Sequence, residues 1–193
     1  MDNRCAVVSA LVEDRPDLLS QTVSLLRRRN FVTESVTVGK TDEPHVARLT
    51  ITLVNPAAGL GRTVDEAGRL ARELQRLMYV IRVEDLTRKP TVLRELVLIK
   101  VRVDPATRAQ VAQLCEVFRG RIVDVAKDSV IVETTGDAEK IAGFLEVLRP
   151  FGIAEMARTG PVALGRADRV LESTEQDSSW RARRRRQDAE QAC

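Results

Sequence analysis

A chain of 193 residues, 44% of them hydrophobic, has room for one large or two small domains and apolar content enough to bury a core. The formal net charge is only +3, its basic excess sits at the C-terminus, and aromatic residues make up 3%, which together argue against a basic, aromatic-rich nucleic-acid surface. No apolar run reaches the roughly 18 residues of a membrane span, and the opening MDNRCAVV lacks the charged-then-apolar form of a secretory signal, so a soluble cytoplasmic protein is expected.

From Cys5 the residues alternate, with Ala6, Val8, Ala10 and Val12 on one face of a first strand. Glu13-Asp14-Arg15-Pro16-Asp17 then forms a sharp turn into a helix expected to bury Leu18, Leu19, Thr22, Val23, Leu25 and Leu26. A strand running straight into a helix leaves free backbone N–H groups at the turn, a natural place for a carboxylate or phosphate. Arg27-Arg28-Arg29 close that helix, where cations complement its dipole. Phe31 to Lys40 has strand composition, Thr41-Asp42-Glu43-Pro44 turns, and Val46 to Asn55 alternates as a half-buried strand, completing a hairpin. Asn55 to Gly59 turns again. A second helix is expected from Thr63, as N-cap with Glu66 three residues on, to Met78, with Val64, Ala67, Ala71, Leu74 and Met78 in its stripe and Leu70 and Leu77 widening it. Tyr79 to Leu86 closes the unit as a strand.

After the linker Thr87-Arg88-Lys89-Pro90 the order begins again. Leu93 to Val103 reads as a strand, Asp104-Pro105 as a capped helix start, and Val111, Leu114, Cys115 and Phe118 as its buried face. Gly120 ends that helix. A hairpin follows around Lys127-Asp128, then a helix from Asp137 burying Ile141, Phe144, Leu145 and Leu148, stopped by Pro150 and Gly152. Ile153 to Ala157 is expected as the last strand. The fold expected is α+β, two tandem ferredoxin-like βαββαβ domains over residues 1–87 and 91–166, with a charged, disordered tail over 167–193. Arg181 to Arg186 in that tail could touch nucleic acid or acidic lipid, but its flanking acids favour a solvated segment.

No catalytic constellation emerges. The chain has one histidine, His45, expected in an exposed loop, and no GxSxG, P-loop, GxGxxG or HExxH pattern. Gly59-x-Gly61 reads as a turn, and the pairs Glu13-Asp14 and Glu84-Asp85 as solvated charges at strand ends. The three cysteines, Cys5, Cys115 and Cys193, include no CxxC; Cys5 and Cys115 are expected in the core of a protein from a reducing compartment, and no metal site is expected.

Several stretches, in joint order and spacing, carry a family resemblance: Glu34-Ser35-Val36-Thr37-Val38, Thr41-Asp42-Glu43-Pro44, Ala47-Arg48-Leu49-Thr50-Ile51, Arg94 to Val101, Phe118 to Val125, and Ala157-Arg158-Thr159-Gly160. Over about residues 4 to 166 the chain resembles the small regulatory subunits of acetolactate synthase. The resemblance implies an N-terminal ACT domain followed by a second ferredoxin-like domain, and no chemistry in this chain. It also implies a catalytic large-subunit partner carrying thiamine diphosphate, magnesium and FAD. That partner would be activated by the small subunit and made sensitive to valine or another branched-chain amino acid. ACT domains typically pair so that the effector lies between the first helix of one chain and a strand of another, so an isologous homodimer is expected.

By position, the resemblance assigns effector contact to Asp14, Arg15, Pro16, Asp17, Leu18 and Val32. The family there reads close to E-N-x-x-G-x-L, with a second Asn early in the next strand; here Asp14, Asp17 and Val32 replace Asn, Gly and Asn. Asp17 brings a Cβ where a ligand must approach the backbone. It also brings a charge that would repel a carboxylate about 4 Å away by roughly 4 kcal/mol at an effective dielectric near 20. Pro16 removes a donor, and Val32 offers none. Valine feedback is therefore expected to be lost or weakened, and partner activation retained. The competing readings are a stand-alone ACT sensor acting on another enzyme or regulator, and a nucleic-acid binder working through its arginine tail.

Overall fold

The computed structural model describes residues 5–54 and 65–171. It divides into two compact units, one built from the chain up to Val92 together with Ala163 onward, the other from Leu93–Val162. In the first, β1 (Cys5–Glu13), α1 (Leu18–Arg28), β2 (Thr33–Lys40), β3 (Val46–Val54), α2 (Glu66–Gln75) and β4 (Val80–Asp85) follow one another. The strands form an antiparallel sheet in the order β2-β3-β1-β4, the ferredoxin-like arrangement expected.

Ala6, Val8, Ala10 and Val12 of β1 meet Ala47, Leu49, Ile51 and Leu53 of β3 beneath Leu18, Leu25 and Leu26 of α1 and Ala67, Leu70 and Leu74 of α2. The opposite face is also covered, so β1 and β3 are buried on both sides: Val7, Ser9, Leu11, Val46, Thr50 and Thr52 are inaccessible as well. The half-buried β3 read from alternation is thus wrong on its polar face. Part of this cover comes from Leu171, which packs with Ile81 against Leu11 and Val46. Residues 167–171, assigned to the tail, therefore fold back onto the first unit. Residues 163–166, assigned to the second domain, also group with the first unit; Arg166 donates from its backbone N–H to the Pro90 carbonyl (2.9 Å) and from Nε to Thr91 (3.3 Å). The remainder of the tail, with Arg181 to Arg186 and Cys193, lies outside the described residues.

Both helices of this unit depart from expectation at their edges. In α1 the buried stripe is Leu18, Thr22, Leu25 and Leu26, while Leu19 and Val23 are 51% and 53% exposed. At 100° per residue those two lie on one flank of the stripe, and the sheet supports only its centre. In α2 the cap is Asp65, whose Oδ1 accepts the Gly68 N–H at 3.1 Å; Thr63, Val64, the Asn55–Gly59 turn and Gly59-x-Gly61 lie outside the described residues. The helix ends at Gln75, and short backbone bonds from Arg76, Leu77 and Val80 to the third residue before each turn the chain into β4. Met78, placed in the stripe by periodicity, is consequently 76% exposed.

The second unit repeats the order with β5 (Thr91–Arg102), α3 (Thr107–Val117), β6 (Arg121–Val125), β7 (Ser129–Gly136), α4 (Ala138–Leu148) and β8 (Ile153–Arg158), in the sheet order β6-β7-β5-β8. Thr91 and Val92, the first two residues of β5, group with the first unit. Beyond the expected last strand there is another: β9 (Val162–Gly165) pairs with β5. Val97, Ile99 and Val101 pack on Val111, Cys115, Ile141, Phe144 and Leu148, and Phe118 stacks on Phe144 with ring centroids 4.9 Å apart. Asp104 accepts the Ala106 and Thr107 N–H groups (2.8 and 2.7 Å), bonds that hold its carboxyl below the usual range, and Asp137 caps α4 through Lys140 N–H.

The first helix of each unit ends alike. Asn30 and Arg119 adopt left-handed φ values of 54° and 52°, and the next residues, Phe31 and Gly120, bond back to Leu26 and Cys115. This is the Schellman closure, but the left-handed position of the second helix falls on Arg119, one residue before the glycine read as its stop.

Cys5, expected in the core, is exposed at the start of β1, its Sγ 3.1 Å from Glu34 Oε2. Cys115 is buried, and burial pushes its thiol up to about 11. Iodoacetamide at about pH 8 should therefore alkylate Cys5 and spare Cys115 until the protein is unfolded; peptide mapping that finds both labelled at equal rates would contradict this packing.

A bidentate pair joins β5 to β8. Arg158 Nε and Nη2 donate to the buried Glu95 carboxylate at 2.8 and 2.6 Å. Removing the guanidinium strands a buried charge, ordinarily about 3–5 kcal/mol; solvent at the partly exposed Arg158 reduces this. Arg158→Ala should lower the unfolding free energy by about 2–3 kcal/mol in urea titration, whereas Arg121→Ala, whose partner Glu133 is more accessible, should cost under about 1 kcal/mol.

Candidate functional site

The turn between β1 and α1 is held from two sides. Glu13 N–H bonds to the Tyr79 carbonyl at the entrance to β4 (2.9 Å), and Asp14 N–H bonds to the His45 carbonyl in the β2–β3 hairpin (2.8 Å). Both anchors are backbone groups, so the turn's path is fixed whatever its side chains. His45 itself is exposed with φ of 65°.

Asp17 stands at the N-cap position but its side chain caps nothing. It turns back to Arg15, which donates from Nε at 2.6 Å and from Nη2 at 3.2 Å, and it also accepts from Gln21 Nε2. The Arg15 guanidinium lies 6.0 Å from the ring of Tyr79. Tyr79 is buried, its hydroxyl 3.4 Å from Thr22 Oγ1, which in turn donates to the Leu18 carbonyl at 2.8 Å. Burial pushes the Tyr79 phenol up, so it stays neutral and can only share protons here.

These contacts revise the electrostatics expected of the turn. A carboxylate already bonded to a guanidinium repels an incoming anion far less than a bare one. What remains against a carboxylate ligand is steric, the Asp17 Cβ, and the donor missing at Pro16.

Of the six positions assigned by resemblance, Asp14, Arg15 and Pro16 are exposed and Asp17 is half-exposed around the turn. Leu18 is 3% exposed; its side chain anchors the helix in the core and cannot contact a ligand. Val32 is 60% exposed but follows the C-terminal end of α1. The 11 residues of α1 separate it from the turn by about 16 Å at 1.5 Å per residue. One chain therefore does not bring Val32 and the turn together. Tyr79, Thr22 and Gln21, which build the surroundings of the turn, carried no signal in the sequence beyond helix and strand periodicity. Among the described residues no group of three or more His, Cys, Asp or Glu could hold a metal ion, and no helix is long and apolar enough to cross a membrane.

A family model described as small subunit of acetolactate synthase matches residues 94–167. The chain is 44% identical over 166 residues to a probable acetolactate synthase small subunit of Methanothermobacter thermautotrophicus, spanning 86% of this chain and 95% of that protein. It is 37% identical to the acetolactate synthase small subunit of Mycolicibacterium smegmatis, over 85% of this chain and 92% of that one. Among solved structures, the acetolactate synthase small subunit of Thermotoga maritima is similar at 32% identity with a TM-score of 0.76, covering 86% and 99% of the two chains.

Proposed function

We propose a function for this chain from one premise: it belongs to the acetolactate synthase small-subunit family. In this reading it is a non-catalytic regulatory subunit that binds and activates a catalytic large subunit in branched-chain amino-acid biosynthesis. The thiamine diphosphate, magnesium and FAD belong to that partner, and this chain holds no cofactor. The observation that carries the reading is likeness to small subunits over 86% of this chain, across both units rather than in one alone.

A homodimer forms, in this proposal, through the first unit. Strand β2 is an edge of its sheet, with one backbone side paired to β3 and the other unpaired by any strand described. Edge strands invite pairing. Beside it α1 presents Leu19 and Val23, two exposed apolar side chains one turn apart. Two copies pairing β2 to β2 about a two-fold axis would bury both pairs of side chains and carry Val32 of one copy toward the turn of the other. That arrangement reconciles the 16 Å gap within one chain with a single effector site.

At such a site valine meets the Asp17 Cβ, no donor from Pro16 and none from Val32. Valine feedback is therefore weak. Each hydrogen bond restored is worth about 1 kcal/mol, roughly fivefold in affinity. The double variant Asp17→Gly/Val32→Asn should then bind valine about ten- to thirtyfold more tightly than the unaltered chain in isothermal titration. Micromolar valine binding by the unaltered chain would overturn the weakened-feedback reading.

Leu19→Glu/Val23→Glu should shift the chain toward monomer in sedimentation velocity, because burying four unpaired carboxylates outweighs the pairing of two strands. The regulatory assignment is tested by mixing the chain with its cognate large subunit and assaying acetolactate formation. Activity should rise on addition, and absence of any association would favour the stand-alone sensor instead.

A further inference from the structure

The helix α1 has two flanks, and only one is accounted for by the proposed dimer. On the other, Ser20, Gln21, Ser24 and Arg28 face α2 across a groove. One end is a hollow of about 360 Å³ lined by Leu25, Arg28, Arg29, Glu73, Arg76 and Leu77. The other, of about 330 Å³, shares Arg28 and Leu77 and extends to Ser20. The groove thus follows α1 from Ser20 to Arg29, about 14 Å of helix, open to solvent along its length.

Its charge is one-sided. Glu73 is the only acid in the lining, and both Arg29 and Arg76 bond to it at 3.1 Å. Of the neighbouring acids on α2, Glu66 is taken by Arg69 at 2.9 Å and Asp65 lies 3.8 Å from Arg72. Arg27 and Arg28 are exposed and have no carboxylate partner among the described residues. The floor, by contrast, is apolar: Leu25 is buried and Leu77 packs on the core. A basic rim over an apolar floor, long and shallow, fits an amphipathic helix with acids three and four residues from one apolar anchor.

We propose that this groove docks an acidic amphipathic helix of the catalytic large subunit, an inference that rests on the regulatory-subunit reading above. The anchor sits over Leu25 and Leu77, its acids meet Arg28 and the half-satisfied pair Arg29 and Arg76, and Ser24, one turn before Arg28, offers a hydroxyl toward the other end. A second copy of this chain is a poor occupant, because a two-fold contact here sets Arg28 against Arg28. A phosphorylated small molecule is favoured less, since the groove is shallow and open and its length suits a helix.

The test is Arg28→Glu in the full chain, chosen because Arg28 has no carboxylate partner among the described residues to lose. Affinity for the large subunit, read by biolayer interferometry at about 50 mM salt, should fall at least tenfold, with activation falling at matching concentrations. Binding of the unaltered chain should weaken as salt is raised to about 500 mM, and the variant should show a flatter dependence. Melting temperature and sedimentation of the isolated variant should be unchanged. Unaltered affinity in Arg28→Glu overturns the inference alone, as does loss of self-association, which would make the groove a contact between copies. ATP or inorganic polyphosphate that binds the unaltered chain and not the variant, with the large-subunit affinity intact, overturns it too. Failure of the unaltered chain to bind the large subunit overturns the regulatory reading and this inference with it.

Discussion

The register of β1 against β3, from Cys5 opposite Val54 to Glu13 opposite Val46, decides which side chains of the first unit meet the helices. A slip of one residue would turn Ala6, Val8, Ala10 and Val12 away from α1 and α2 and present Val7, Ser9 and Leu11 instead. Both sets are buried, so a simple apolar-in, polar-out rule does not pin the pairing. Size does: the face under the helices takes Leu49, Ile51 and Leu53 from β3, while the other takes Thr50 and Thr52. Large aliphatic side chains fill the space beneath a helix layer, whereas at one end of the other face Leu11 and Val46 pack against Ile81 and Leu171. Once β1 is fixed, the turn at its end, the start of α1 and the open edge at β2 follow from topology.

Much of this was legible in the amino-acid order. Alternation located the strands, Asp104 and Asp137 marked helix starts, and the doubled order of elements announced two ferredoxin-like units. What failed did so for definable reasons. Periodicity finds apolar residues on one side of a helix but is blind to the width of the supporting sheet, so it places Leu19 and Val23 in a core that does not reach them. Strand composition groups Cys5 with the core and does not show its place at the strand's exposed end. Strand β9 is only four residues long, and Leu171 is a single anchor beyond it; neither spans enough chain to show a period. At the candidate site, the turn itself was legible. The ion pair between Arg15 and Asp17 was not, because spacing alone does not decide whether side chains two residues apart in a turn meet or diverge.

Helix α1 emerges as the element on which a regulatory role can be built. Its N-terminal end adjoins the proposed effector turn, one flank carries Leu19 and Val23 beside an open strand edge, and the other forms the arginine-rimmed wall of a groove. Effector, second copy and catalytic partner would each address a different side of the same three turns. Rigid-body movement of one helix against its sheet is a small displacement, yet it would be felt at all three surfaces. Coupling needs no long pathway when the sites share a single rod.

The double burial of β1 has a consequence for how the first unit should exchange its amide hydrogens with solvent. Strands paired on both sides and covered on both faces open only when the whole unit does, so the amides of β1 and β3 should define the slowest exchange in that unit. Those of β2 that point outward from the edge should be among the fastest in a strand. Of the four strands, β2 alone would change class when two copies associate edge to edge, while β1 would keep its rate. The sheet thus carries an internal clock at its centre and a reporter of assembly at its rim.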